Sequence, residues 1–198
     1  MLLLLLIMLA AAAAGAPQRD TLVIADFDGD KAETKAGLSL WPYADDQFGG
    51  TSEARTMLIH PGADGSRGAL RISFRVTDEA RIPFAGAWAM VGGEGLATDL
   101  SAYKGVRFSA RSKEGTAFAA GIVRFPGVVK RYTLPFEVRA EWTIVELPFD
   151  RFREAPPGAP GASPAPLDPR DITSIGFTVA PQRRGQLELE VDRLEVYR

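Results

Sequence analysis

Polar and apolar residues alternate with a period of two in many short stretches of this chain. In the stretch 70–76 the apolar side chains fall on one face, with Arg and Ser on the other, and 106–111 repeats the pattern. Such alternation is typical of β-strands with one buried face. By the same criterion we predict further strands over 22–28, 82–91, 117–124, 129–138, 142–149, 172–179 and 186–197. Eight or nine strands predict two packed sheets.

The last of these strands contains a change of phase. Leu187, Leu189 and Val191 share one parity, whereas Leu194 and Val196 share the other. A shift of one residue in a strand with one buried face indicates a β-bulge, which bends the strand and redirects a side chain. We therefore predict a bulge at Asp192 or the residue that follows it.

Helices contribute little to the predicted fold. After the amino terminus, no window longer than about ten residues keeps an apolar period of 3.6. The 20 Gly and 14 Pro indicate many turns, and 198 residues suit one domain. Six of the prolines lie in 154–169, which we interpret as a surface loop inserted in the domain, because Pro cannot donate to a sheet. The prediction is an all-β sandwich of two antiparallel sheets over 20–198.

Residues 1–16 form an uncharged apolar run that ends in small residues. The run is shorter than the ~20 residues that a membrane helix needs, and Ala12-Ala13-Ala14 offers a small-x-small cleavage site. We interpret it as a signal peptide, and an uncleaved anchor is the alternative because the run lacks a side-chain cation. The expected location is periplasmic or extracellular, without a membrane span after cleavage.

Charge and cysteine content exclude several function classes. A formal net charge of −2 and the absence of a Lys/Arg run argue against nucleic acid as a partner. With no cysteine, the chain has no disulfide, thiolate metal site or cysteine nucleophile, so stability must come from its core.

Carboxylates at the end of the first predicted strand suggest a calcium site. Counted from Asp26 as an EF-hand loop, Lys31 stands where Gly is required and Gly37 where a bidentate Glu is required. A structural Ca²⁺ that joins the first strand to the last is a separate hypothesis, with Asp26 or Asp28 meeting Asp192 beyond the bulge. The alternative is that these acids begin a solvated loop. We predict no other cofactor.

The sequence contains no convincing catalytic set. His60 is the only histidine, and Ser52, His60 and Asp64 supply the residue types of a triad without a nucleophile elbow. The adjacent Asp45 and Asp46 would point to opposite faces of an extended strand, which argues against a glycosidase pair. We predict that the protein is not an enzyme.

Aromatic residues give the best candidate binding site. Trp41 and Tyr43 lie among polar and turn residues, where flat rings are hard to bury. Trp88 shares a parity with Ile82, Phe84 and Met90, a stripe that forms either core or a ligand platform. Exposed rings bind apolar sugar faces while carboxylates and Arg bind the hydroxyls. The candidate ligand-binding residues are Trp41, Tyr43, Asp46, Trp88, Arg124 and Tyr132.

Six motifs in order resemble one known family. They are Ala-Asp-Phe-Asp at 25–28 with Trp41, the segment 46–52 (DQFGGTS), 84–86 (FAG), 99–106 (DLSAYKGV), 142–149 (WTIVELPF) and 172–177 (ITSIGF). Over residues 22–197 the chain resembles the complex I intermediate-associated protein family, whose domain is similar to galactose-binding sandwiches and family 11 carbohydrate-binding modules. The resemblance implies a non-catalytic jelly roll. Mitochondrial members assist respiratory-complex assembly, a role that does not suit an exported protein.

These observations lead to three functional hypotheses. The first is a secreted, non-catalytic module that binds a carbohydrate or a similar polyol. The second is a protein-interaction or assembly factor of the cell envelope that uses the same sandwich face. The third is a hydrolase, for which a lone His and no paired acids leave little to form a site.

Overall fold

The computed structural model describes residues 21–93, 96–113, 117–124, 129–155 and 163–198. The predicted signal peptide lies outside this part of the chain, as do residues 156–162 of the predicted proline loop. In the described parts, no helical segment is long and apolar enough to cross a membrane.

Twelve strands form within the described residues, and three 3-10 turns accompany them over Asp45–Phe48, Ala63–Gly65 and Phe149–Arg151. The strands are β1 (Thr21–Ala25), β2 (Trp41–Ala44), β3 (Glu53–Ile59), β4 (Ala69–Val76), β5 (Ala85–Met90), β6 (Gly105–Arg111), β7 (Ala117–Arg124), β8 (Lys130–Glu137), β9 (Thr143–Pro148), β10 (Arg153–Glu154), β11 (Ile172–Val179) and β12 (Gly185–Tyr197).

The strands pair into two six-stranded antiparallel sheets, which confirms the predicted sandwich. Sheet A has the order β3-β4-β12-β6-β9, with β1 also paired to β12. Sheet B has the order β10-β8-β7-β11-β5-β2. All the strand pairs within both sheets are antiparallel.

Strand β12 contains the predicted bulge. Asp192 pairs with Ser109 and Glu195 pairs with Arg107, so two residues of β12 oppose Phe108 of β6. Arg193 takes a positive φ of 51°, an uncommon conformation for a residue other than Gly. On both sides of the bulge the apolar residues remain fully or nearly fully buried: Leu187, Leu189, Val191, Leu194 and Val196.

An aromatic cluster joins the two sheets at the centre of the core. The Phe108 ring of sheet A meets the rings of Phe136 and Phe177 of sheet B edge-on, with centroids 5.2 and 5.0 Å apart. Each ring is at most 7% exposed. Edge-to-face contacts add to the free energy that burial itself contributes.

Phe108→Ala should therefore lower the free energy of unfolding by about 3–5 kcal/mol, because it opens a cavity between the sheets. Ile144→Ala is the control, since Ile144 is 65% exposed on sheet A, and it should change the free energy by less than about 0.5 kcal/mol. Urea unfolding followed by circular dichroism measures both. Equal effects of the two substitutions would contradict this description of the core.

Candidate functional site

Three of the predicted aromatic residues converge on the outer face of sheet B. Trp41 pairs with Trp88 across β2 and β5, and Tyr43 pairs with Gly86. Directly paired residues project from the same face of a sheet. The Tyr43 and Trp88 rings stack, with centroids 5.2 Å apart and an interplanar angle of 23°.

Three glycines leave room for these rings to lie close to the sheet. A side chain at Gly86 would overlap the Tyr43 ring, and side chains at Gly121 or Gly176 would overlap the Trp88 ring. Gly121 lies in β7 and Gly176 in β11, and the two are directly paired. Glycine within a strand commonly marks such a close approach. We call Gly86, Gly121 and Gly176 the glycine floor.

The stacked pair is part of a longer row of rings. The Tyr43 and Phe84 centroids are 5.7 Å apart, and those of Phe84 and Phe48 are 6.0 Å apart. Exposure increases along this aromatic row, from 6% at Trp88 to 72% at Phe48. Trp88 therefore supports the row from below, while Phe48 and the partly buried Tyr43 and Phe84 offer ring surface to a ligand.

A groove adjoins the aromatic row at the edge of the sandwich. It lies between the edge strands β2 and β3 and has a volume of about 660 Å³. Trp41, which is 37% exposed, lines it together with Asp46, Gln47 and Arg55. The groove thus combines an exposed indole with an acid, an amide and a guanidinium, which are groups that bind hydroxyls. The predicted ligand-binding residue Asp46 therefore lies in this groove, next to Trp41.

A buried carboxylate fixes the turn that connects the row to the groove. Asp45 is fully buried and accepts hydrogen bonds from Ser52 N at 3.0 Å, Ser52 Oγ at 2.8 Å and Phe84 N at 3.1 Å. A side chain at Gly50 would collide with the Asp45 carboxylate. These contacts explain Asp45, Gly50 and Ser52 of this segment, because they hold the turn against the start of β5.

The Tyr43 phenol is the polar group of the aromatic row. Burial raises its pKa, although a hydrogen bond with Thr178 and the positive charge of Arg131 oppose that shift. The phenol is consequently neutral at physiological pH.

Tyr132 and Arg124 lie away from this surface. Tyr132 is 2% exposed in the core, because it has the inward parity of Leu134 and Phe136 on β8. Arg124 donates from Nε to the Arg170 carbonyl at 2.8 Å, and its Nη2 lies 3.5 Å from Asp171 Oδ2 and 3.7 Å from Asp168 Oδ2. Both residues therefore have structural contacts separate from the aromatic row.

The predicted calcium ligands border one cavity of about 440 Å³ on the sheet A side. Asp192 Oδ2 accepts hydrogen bonds from Ala63 N and Ser66 Oγ, while its buried Oδ1 has no partner among the described residues. Asp28 Oδ1 accepts from Arg67 N and Gly68 N, and Asp26 forms an ion pair with Lys35. Within the described ranges, no three His, Cys, Asp or Glu side chains are grouped to hold a metal ion. Among these described carboxylates, the buried Asp192 Oδ1, which lacks a hydrogen-bond partner, is the feature that suggests a bound cation.

The residues considered for a triad have local contacts. His60 Nδ1 lies 2.7 Å from the Arg67 carbonyl oxygen. The Ser52 hydroxyl donates to Asp45 and accepts from Thr77 N. The His60 and Ser52 side chains therefore have structural roles, since each holds its own loop through these hydrogen bonds.

The family model of complex I intermediate-associated protein 30 matches residues 26–191, which is most of the chain. The chain belongs to this family. A comparison with curated protein sequences finds no match.

Among the solved structures similar to this family member are three carbohydrate-binding modules of Clostridium thermocellum. The family 11 module of the cellulosomal cellulase Lic26A-Cel5E has a TM-score of 0.68 at 19% identity, covering 89% of this chain and 94% of that one. The family 11 module in complex with a β-1,3-1,4-mixed-linked tetrasaccharide has a TM-score of 0.65 at 20% identity, covering 89% and 95%. The family 30 module of Cel9D-Cel44B has a TM-score of 0.54 at 17% identity, covering 71% and 80%. At these identities the likeness shows the jelly-roll fold.

Asp45→Ala should lower the free energy of unfolding by about 3 kcal/mol, because two buried donors of Ser52 and the part-buried Phe84 N would lose their acceptor. The neighbouring Asp46 is exposed, so Asp46→Ala should change it by less than about 0.5 kcal/mol. Denaturant titration compares the two. Comparable stability of both variants would contradict the structural role given to Asp45.

Proposed function

We propose that the protein is a non-catalytic module that binds carbohydrate along the outer face of sheet B. The observation that carries this proposal is the aromatic row, which is supported by the glycine floor and reaches the surface at Phe48. Aromatic faces bind apolar ligand surfaces, and a row of them suits an extended chain of sugar rings rather than one compact molecule.

Polar groups that lie beside the aromatic row would bind the hydroxyls of a sugar chain. Asp46 and Gln47 line the groove at one edge, and the neutral Tyr43 phenol lies within the row. Because an ionised carboxylate only accepts hydrogen bonds and an amide does both, the two groups complement hydroxyls in different orientations. Trp41 stands between the groove and the row and would contact a ligand in either.

The structural neighbours support the same proposal. One of them is described in complex with a mixed-linked tetrasaccharide, and all three are named as carbohydrate-binding modules. The proposed location is outside the cytoplasm, as the apolar run 1–16 predicts. There the module would meet extracellular polysaccharides.

Trp41→Ala and Tyr43→Ala should each weaken binding of a soluble polysaccharide at least about tenfold, because each removes ring surface from the ligand. Trp142→Ala is the matched control, since Trp142 lies on the other side of the sandwich, 4.6 Å from the Arg111 guanidinium carbon. Affinity electrophoresis against a panel of neutral and acidic polysaccharides, followed by titration calorimetry, measures the effect.

Failure to bind any polysaccharide in the panel would contradict the proposal. In that case, capture of an envelope protein that depends on Trp41 but not on Trp142 would favour the assembly-factor hypothesis.

We also propose a structural Ca²⁺ held by Asp192 and Asp28, with carbonyl or water oxygens completing its shell. Calcium takes six to eight oxygen ligands, and the orphan Asp192 Oδ1 is a free acceptor beside Asp28. Burial, which is the largest influence, and the nearby Asp28 raise the pKa of Asp192. A cation between the two carboxylates would offset both effects. Asp26 is the weaker candidate, because Lys35 already neutralises it.

Calcium should raise the melting temperature of the wild-type protein relative to EDTA, and it should not raise that of Asp192→Asn.

The raised pKa of Asp192 in the folded state means that its contribution to stability is full below the unfolded pKa and is lost as pH rises through the folded pKa. In EDTA at pH 7, Asp192→Asn should therefore melt at the same or a higher temperature. An equal melting temperature of the wild type with calcium and with EDTA would contradict the site.

A further inference from the structure

We propose that the polysaccharide bound on sheet B is acidic, with uronate carboxylates that are bound by Arg131 and Arg153. This inference rests on the proposed function and deepens it by naming the ligand class. The two arginines lie on β8 and β10, on the opposite side of the outer face from the β2 groove. A sugar chain that crosses the face from the aromatic row would reach them.

The strand register brings the two guanidinium groups to one place. Arg153 pairs directly with Thr133, and Arg131 is two residues from Thr133 on the same strand. Residues in such diagonal positions project from the same face about 7–8 Å apart at their Cα atoms. Both side chains are exposed. The next outer residue across the sheet from Thr133 is Gly121, on which the Trp88 ring rests.

Neither guanidinium is neutralised by an acid in the described part of the chain. Arg153 Nη1 donates to two backbone carbonyls, those of Asp150 and Phe152. Arg131 has no side-chain hydrogen bond or ion pair with another described residue, and its charge acts on the Tyr43 phenol. The neighbouring Glu154 has the opposite strand parity and lies 3.7 Å from Lys130 Nζ.

Asp150 is the acid next to Arg153, and although Arg153 contacts its carbonyl, no ion pair joins the Asp150 carboxylate to either arginine within the described residues. Glu137, the acid on the outer face of β8, is six positions along the strand from Arg131, about 20 Å at ~3.3 Å per residue. The stretches 125–128 and 156–162, which adjoin β8 and β10 in sequence, contain no Asp or Glu.

The outer face of sheet A shows the opposite arrangement. There Glu190 binds Arg71 and Arg111, while Glu195 binds Arg107 and Arg193. Each of these sheet A arginines thus has a carboxylate partner within the protein. On sheet B two adjacent positive groups are left without one, and adjacent like charges repel.

A uronate carboxylate would relieve this repulsion and match the donors. A planar guanidinium offers paired N–H groups to a carboxylate, and such charge-assisted hydrogen bonds are stronger than neutral ones. Strands β7 and β11 separate β8 from β5 by about 14 Å at ~4.8 Å per strand spacing, so other pyranose rings of the same chain would contact the aromatic row. The ligand class that fits both features is a polymer of sugar rings with regularly placed carboxylates.

Binding of polygalacturonate and of a neutral mixed-linked β-glucan to the full chain tests this inference. Titration calorimetry at low salt should give tighter binding of polygalacturonate. Arg131→Gln and Arg153→Gln should each reduce that affinity about tenfold, with no change for the glucan. Arg139→Gln is the matched control, because it removes the same charge from an exposed residue between β8 and β9. Added NaCl should weaken polygalacturonate binding selectively.

Two results would overturn the inference. If the glucan binds as tightly as polygalacturonate and neither substitution matters, the ligand is not acidic, yet the proposed carbohydrate function stands. If neither polymer binds, with the wild type and Trp41→Ala alike, both the inference and the proposed function fail. Circular dichroism spectra equal to that of the wild type establish that each variant is folded.

Discussion

Strand β12 buries five Leu and Val side chains against sheet B, although it is thirteen residues long and changes phase at Arg193. Without the extra residue, either its first or its second half would turn apolar side chains to solvent. The bulge lets β12 pair with β4 along its first half and with β1 along its second. It also turns Asp192 toward the loop that contains Ala63 and Ser66. The packing of sheet A and the candidate calcium cavity both depend on this local irregularity.

Period-two alternation predicted strands such as β4, β6 and β12 well, because one face of each is apolar and the other polar. The prediction of eight or nine strands missed β2, β3 and β10. Strand β2 has only four residues and includes Pro42, while β10 has two. On β3 the inward residues are Ala54, Thr56 and Leu58, of which only Leu58 is bulky and apolar, while Met57 is apolar but faces outward, so the alternation is weak.

The candidate site was less accessible to sequence reasoning than the fold. The exposed aromatic character of Trp41 and Tyr43 could be anticipated from their polar surroundings. Tyr132 shares its parity with Leu134 and Phe136, and this alternation indicates the core position that Tyr132 takes. Phe48 lies in the 3-10 turn after β2, so no strand alternation indicated that its ring is part of the site. The glycine floor depends on the registers of β2, β5, β7 and β11, which the sequence does not specify.

The glycine floor has a consequence for the evolution and engineering of this surface. Glycine inside a strand costs stability relative to Ala, of the order of 0.5–1 kcal/mol per residue, through the greater freedom of the unfolded chain. Sheet B has glycine at three neighbouring positions despite this loss of stability. Because the glycines leave room for the Tyr43 and Trp88 rings, the rings are already in position before a ligand binds. Variants chosen by strand propensity alone would replace these glycines first, but a Cβ there would collide with the Tyr43 or Trp88 ring, and at Gly176 also with the Ala87 carbonyl. Such variants would displace the rings and lose stability through overpacking.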